Sequence, residues 1–242
     1  MFEALKQRFD RWTPEEDALI IEARSLSSPV KYATIAGLLG RGQDAVRNRY
    51  WMIKGPKRPW WEGMRLGFMD IETGGFDANW HYALTWALLL DDGTVLSDQI
   101  KQSEVLNGTF DNRIVASCLD AMRKHCDIVV TYFGDGFDWP YLRSRADAMG
   151  VPFFAYGDMT TWDVYWLVRS KYKLSSKSLD SVCEHLGIEG KSHINPKVWM
   201  RARVGNKKAL AEVIEHNKAD VIILEELFQR VKKYQSWTRK SV

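Results

Sequence analysis

The spacing of apolar and polar positions divides the chain into a short helical head and a longer region of alternating strands and helices. Residues 12–54 predict three helices. The first starts at Trp12-Thr13-Pro14-Glu15-Glu16-Asp17, where Thr13 can cap, Pro14 suits the first turn and the acids complement the helix dipole. Its apolar positions run to Ala23, and residues 25–29 break it. A second helix is expected over 31–39, ended by Gly40. A third is expected from Gln43 to Ile53, with Val46, Tyr50 and Ile53 on one face. Residues 55–59, Gly-Pro-Lys-Arg-Pro, read as a basic linker. Trp60 and Trp61 are expected to dock it onto the following domain.

From residue 66 the period changes. Leu66-Gly-Phe-Met-Asp-Ile-Glu-Thr73 is an apolar strand that ends in two carboxylates. Residues 82–90 and 94–100 predict two more strands joined by the turn Asp91-Asp92-Gly93. A helix follows over 111–124, with Ile114, Val115, Cys118, Leu119 and Met122 on one face. A buried strand is expected over 127–132. A glycine-rich turn then leads into a helix from Asp138 to Met149, stopped by Gly150. Helices are expected over 162–174 and 178–186, a loop-rich stretch anchored by Trp199 over 191–206, and a long final helix over 207–234. The expected fold class is α/β, a mixed sheet flanked by helices, preceded by a small all-α domain. The expected boundaries are 1–54, a linker at 55–61, and 62–242.

Composition narrows the setting. The chain has 242 residues, which suits one large domain or one large and one small, and 45% hydrophobic content, enough to build a core. It has no run of roughly 18 apolar residues, so no membrane span is expected. The N-terminus lacks a signal-peptide pattern, so a cytoplasmic protein is expected. Three cysteines without metal spacing suit buried thiols in a reducing compartment. Net charge is only +3, but its distribution is uneven. Residues 1–60 hold 11 Lys/Arg against 7 Asp/Glu, and residues 61–242 hold 23 against 24. The basic surplus sits where nucleic acid could be held.

The chemistry begins at Asp70 and Glu72. Alternation along a strand puts both on one side. Two acids there repel each other and cost desolvation, and a divalent cation relieves both. Asp-x-Glu also occurs at strand ends as ordinary solvated polarity. Asp138 stands at a helix start, where a carboxylate is commonly only an N-cap. His216 and Asp220, one turn apart, would often be a surface pair. The other histidines, His81, His125, His185 and His193, have no spacing partner.

Two resemblances join these fragments. The head, with Trp12, Thr13, Glu15, Glu16, Asp17, Ile35-Ala36, Leu39-Gly40-Arg41, Arg47 and Arg49-Tyr50, resembles a Myb/SANT-type helix-turn-helix. Tyr32 and Tyr50 stand where the family places its second and third tryptophans. The resemblance implies that Gln43, Arg47 and Asn48 face DNA in the major groove, with Arg41 and Lys54 near phosphates. Arg49 is expected to pair with an acid of the first helix. The long region resembles the DEDD 3′→5′ exonucleases of ribonuclease H-like fold, which open with three antiparallel strands, a helix and a further strand. The matching stretches are Gly67-Phe68-Met69-Asp70-Ile71-Glu72-Thr73, then Gly134 through Phe137-Asp138 with Pro140 and Leu142, then His216-Asn217-Lys218-Ala219-Asp220-Val221. Ser178-Leu179 and Leu186-Gly187 also fit. There are two departures. The family's third motif has Tyr, three residues, Asp, or His, four residues, Asp; here His216 stands at the tyrosine spacing. Phe133 stands where the family often has Asn.

The resemblance implies that Asp70, Glu72, Asp138 and Asp220 hold two Mg²⁺ or Mn²⁺ ions for phosphodiester hydrolysis. His216 would orient or deprotonate the attacking water. Thr73 and Phe76 would pack on the terminal nucleotide. The partners expected are DNA, as a single-stranded 3′ end and as duplex, with RNA possible. The acids contact phosphate and metal rather than sugar, so a ribonuclease or structure-specific endonuclease stays open. A DNA-binding regulator with an inactive nuclease domain is the reading from another class; the intact set of four acids argues against it.

Overall fold

The structure is a computed structural model, and it describes residues 11–54, 61–190, 193–235 and, for the backbone only, 240–241. Its internal contacts fall into two compact units, Met1–Glu62 and Gly63–Val242. The expected linker at 55–59 and Trp60 lie outside the described residues.

In the first unit, helix α1 spans Pro14–Ser25, α2 Tyr32–Leu39 and α3 Gln43–Ile53. A capping box opens α1: Thr13 Oγ1 accepts from Glu16 N–H at 3.3 Å, and Glu16 Oε2 accepts from Thr13 N–H at 3.0 Å. Gly40 ends α2 in the left-handed conformation, φ 61°. Ile20, Ile35, Ala36, Val46 and Tyr50 form the small core, with Trp12 and Tyr32 packed against it. Arg49 pairs with Asp17 of α1 at 2.6 Å, as expected. Arg41 is a correction. Its side chain is buried, with Nε and Nη2 donating to the Glu16 carboxylate at 3.0 and 2.8 Å and the guanidinium over Trp12. A cation desolvated and paired in this way holds the helices together and is not presented to phosphate.

The second unit is a six-stranded sheet in the order β3-β2-β1-β4-β5-β6. The strands are β1 Leu66–Thr73, β2 Ala83–Leu90, β3 Val95–Gln99, β4 Ile128–Thr131, β5 Thr160–Asp163 and β6 Lys240–Ser241. The helices are α4 Gln102–Leu106, α5 Asn112–His125, α6 Asp138–Met149, α7 Val164–Lys171, α8 Leu179–Leu186, α9 Pro196–Ala202 and α10 Lys207–Val231. β1 is antiparallel to β2 and parallel to β4, so it lies inside the sheet. All eight residues of β2 are buried. Met69 and Ile71 of β1 join the main core with Val115, Cys118 and Leu119 of α5. On the opposite face α10 packs along β1, and Phe228 meets Phe68 edge to face at 5.4 Å. All three cysteines are free and buried.

Several elements differ from expectation. Residues 160–163 are a strand, not the start of a helix over 162–174. Asp163 is the N-cap of α7, accepting from Tyr165 N–H at 2.9 Å, so the helix cannot begin before Val164. The loop-rich stretch contains α9, capped by Asn195 and opened by Pro196. The short helix α4 and the edge strand β6 were not expected. The last helix ends at Val231, and Lys232–Tyr234 form a 3-10 turn.

Candidate active site

Asp70 and Glu72 point to one side of β1 and are partly exposed, while Met69 and Ile71 between and beside them are buried. The register with β2 slips between Glu72 and Thr73, so the second acid stands at a local irregularity of the strand. Such irregularities re-aim side chains and recur next to active sites.

Helix α10 brings three more groups to the same side. His216 Nε2 lies 3.5 Å from Glu72 Oε1 and 3.8 Å from Asp220 Oδ2. Glu72, His216 and Asp220 can each offer a ligand atom, and these atoms lie within 4.8 Å of one another. Asp70 and Asp138 stand outside that trio. Asp70 Oδ2 accepts from Asn217 Nδ2 at 2.6 Å. Asn217 is fully buried and takes the Thr85 hydroxyl on its own Oδ1 at 3.0 Å. Asn217 and Asp220 are three residues apart, on the face of α10 that meets the sheet.

Asp138 is not an N-cap. It is the first residue of α6, and its Oδ1 accepts from the backbone N–H of Ile71 at 3.2 Å, between the two acids of β1. Burial pushes its carboxyl up to about 7 against the pull of that N–H, and Asp163 adds a smaller push the same way. The five side chains thus come from β1, the start of α6 and one face of α10. The trio offers two carboxylates and one imidazole, with two further carboxylates held by Asn217 and by Ile71 N–H. That donor set fits a hard divalent cation.

A model of the RNase_H superfamily matches residues 67–232, more than half of the chain. The chain belongs to the RNase_H superfamily. The match runs from the residue after the start of β1 to the end of α10, so it takes in every acid of the site. Among solved structures, the family B DNA polymerase from the hyperthermophilic archaeon Pyrobaculum calidifontis is similar, with TM-score 0.57 and 23% identity. That similarity covers 69% of this chain and 24% of that one, so this RNase_H superfamily chain spans about a quarter of the polymerase's length. The likeness is one of fold. No curated protein matches the sequence significantly.

Around the acids, Thr73 Oγ1 donates to Gly75 O at 2.8 Å and fixes the turn after β1. Phe76 is 88% exposed, its ring 6.3 Å from that of Phe137, the residue before Asp138. In the first unit Gln43, Arg47 and Asn48 are exposed along α3. Arg47 also pairs with Asp44 at 3.0 Å, and Lys54 Nζ donates to the Tyr50 hydroxyl at 3.0 Å.

Two residues of consequence were not singled out from sequence. Asn217 lay inside the third motif without a role, although its spacing from Asp220 places it on the same helical face. Asp163 was hidden by the wrong helix start. Its carboxylate accepts from the backbone N–H groups of Phe133, Asp135 and Tyr165 at 2.8–3.0 Å, and so ties down the loop that leads to Asp138.

Proposed function

We propose that this protein is a divalent-metal-dependent 3′→5′ exonuclease that hydrolyses phosphodiester bonds of DNA, with a helix-turn-helix head that recruits it to duplex. The observation that carries the reading is the convergence of Glu72, His216 and Asp220 beside Asp70 and Asp138. Asp70, Glu72, Asp138 and Asp220 would hold two Mg²⁺ or Mn²⁺ ions, which would supply Lewis-acid charge neutralisation at the phosphate. His216 Nε2, between two carboxylates, accepts a proton from an attacking water that the acids orient. Asn217 keeps Asp70 in one rotamer, and the Ile71 N–H does the same for Asp138. The exposed ring of Phe76 lies beside Phe137 and stacks on the terminal base. In the head, Gln43, Arg47 and Asn48 form the DNA-facing side of α3, with Lys54 at its end.

The test uses end-labelled single-stranded DNA, duplex DNA and RNA with Mg²⁺. The expected result is a ladder shortening from the 3′ end of DNA, abolished by Asp70→Ala with nucleic-acid binding retained. Full activity of Asp70→Ala would refute the site. Internal cuts or a preference for RNA would refute the exonuclease assignment in favour of an endonuclease or ribonuclease. Arg47→Ala with Asn48→Ala should weaken binding to duplex and leave the rate on short single strands in place.

A further inference from the structure

Two clefts meet at Lys177. One, of about 350 Å³, is lined by Tyr132, Phe133, Tyr165, Lys177, Ser178 and Leu179. The other, of about 550 Å³, runs past Arg169, Lys171, Lys173 and Lys177. The first has an aromatic wall: the Phe133 and Tyr165 rings are 4.8 Å apart and nearly edge to face. The second has four cationic groups and no carboxylate among its lining residues. Neither cleft contains any of the acids of the candidate active site.

The aromatic wall is held in place at a cost. Phe133 has φ 64°, a left-handed conformation that a bulky side chain adopts only when its surroundings impose it. One carboxylate oxygen imposes it here. Asp163 Oδ1 accepts from both Phe133 N–H and Tyr165 N–H, at 2.8 and 2.9 Å, so the backbones of both aromatic residues hang on one atom. Gly136 leaves room for the Phe133 ring: a Cβ there would lie 2.5 Å from the ring's Cζ. The residue is nevertheless 41% exposed. Fixing a large apolar ring in a strained conformation and leaving it in water makes sense when a flat ligand covers it. Arg169 Nη1 donates to the Tyr165 hydroxyl at 3.1 Å, which joins the wall to the cations.

We propose that Phe133 and Tyr165 form a base-stacking step, and Lys177, Lys171, Lys173 and Arg169 a phosphate track, for the single strand that feeds the candidate active site. A single strand alternates exposed aromatic faces with negative charge, which is the order of the two clefts. A duplex hides its base faces and would leave the Phe133 wall in water. The assignment rests on the nuclease reading for its direction of feed, but the binding itself can be measured without cleavage. DNA and RNA share the recognised chemistry.

The experiment uses the full chain and two variants. Phe133→Gly keeps a residue that tolerates positive φ and removes the ring without adding a polar contact. The second variant combines Lys171→Ala, Lys173→Ala and Lys177→Ala. Binding of fluorescein-labelled dT12 and rU12 is read by anisotropy in EDTA. Cleavage of dT12 and of thymidine 5′-p-nitrophenyl phosphate is read with Mg²⁺, the small ester reporting on the candidate active site alone. Phe133→Gly should weaken binding about 5–150-fold, the range of one lost stacking contact. The triple variant should lower the slope of log affinity against log salt by about 2, from three phosphate contacts on a single strand. In both variants the ratio of kcat/KM on dT12 to that on the small ester should fall. Loss on dT12 only, or on rU12 only, supports the track and identifies the sugar it accepts. Unchanged anisotropy and salt slope in both variants would overturn the track, even if the wild type cleaves. A wild type that cleaves neither substrate would overturn the nuclease reading, and the track would then be judged on anisotropy.

Discussion

Asn217→Leu is the perturbation that separates positioning from chemistry. Asn217 has no exposed surface, donates to Asp70 and accepts from Thr85. Leucine is of similar size and keeps the helix, but it offers neither bond. The Asp70 carboxylate loses a charge-assisted donor at 2.6 Å, a bond worth about 1.5–3 kcal/mol. The fully buried Thr85 hydroxyl loses its partner, at about 1–3 kcal/mol. Allowing for relaxation and the new apolar contacts, the folded state should weaken by about 2–4 kcal/mol. Adding Thr85→Val removes the stranded hydroxyl and should restore about 1–2 kcal/mol. It cannot restore the donor to Asp70. Urea unfolding should therefore show the double variant more stable than the single one, while Mg²⁺-dependent cleavage stays at least 10-fold below wild type in both. Recovery of activity together with stability would show that Asn217 serves packing alone. Unchanged stability in Asn217→Leu would show that the bond to Asp70 contributes nothing.

Two further outcomes follow from individual contacts. A Cβ at Gly67 would lie 2.3 Å from Cys126 Sγ and 2.8 Å from Leu88 Cδ1, so Gly67→Ala should cost about 1–3 kcal/mol by overpacking, and Cys126→Ala should relieve part of it. A urea midpoint unmoved by Gly67→Ala would contradict that packing. Burial holds the Asp163 carboxyl at about 6, above its ordinary 3.8. A pKa raised by folding stabilises the protein most at acid pH, and the gain is lost as pH rises through about 6. The stability of the wild type relative to Asp163→Asn should therefore shrink between about pH 4 and pH 7, by at most ~3 kcal/mol. A gap that stays constant with pH would refute it.

The long elements were legible because period and punctuation agreed. α3 runs from Gln43 to Ile53 and α6 from Asp138 to Met149, with the expected bounds. Each has a glycine or a sharp change of pattern at its ends. β1 was legible because an apolar run passes into alternating acidic and apolar positions from Met69 to Glu72. The short elements were not, because what fixes them is tertiary. Thr160–Asp163 is a strand because β4 lies beside it in parallel register, and four residues carry too little period to announce that. α9 rests on a local cap in a stretch whose composition reads as loop. At the site, motif order marked the acids, and the fold brings three of the expected residues, Glu72, His216 and Asp220, together. Arg41 misled because a cation between two short helices reads as surface, whereas burial against Glu16 needs a partner 25 positions away. Asn217 gave no separate signal, since an amide in a helix reveals its partners only once β1 and β2 lie against it.

The place of α10 along the chain has a consequence for biosynthesis. Thr73 closes the strand that bears the first acids, and Lys207 opens the helix that bears His216, Asn217 and Asp220. At ~5–20 residues per second, a ribosome needs roughly seven to thirty seconds to travel between them. Throughout that interval the emerging polypeptide has its opening carboxylates but neither the imidazole nor the amide that steadies them. Order of synthesis thus leaves the five-residue cluster incomplete until the final helix has cleared the exit tunnel.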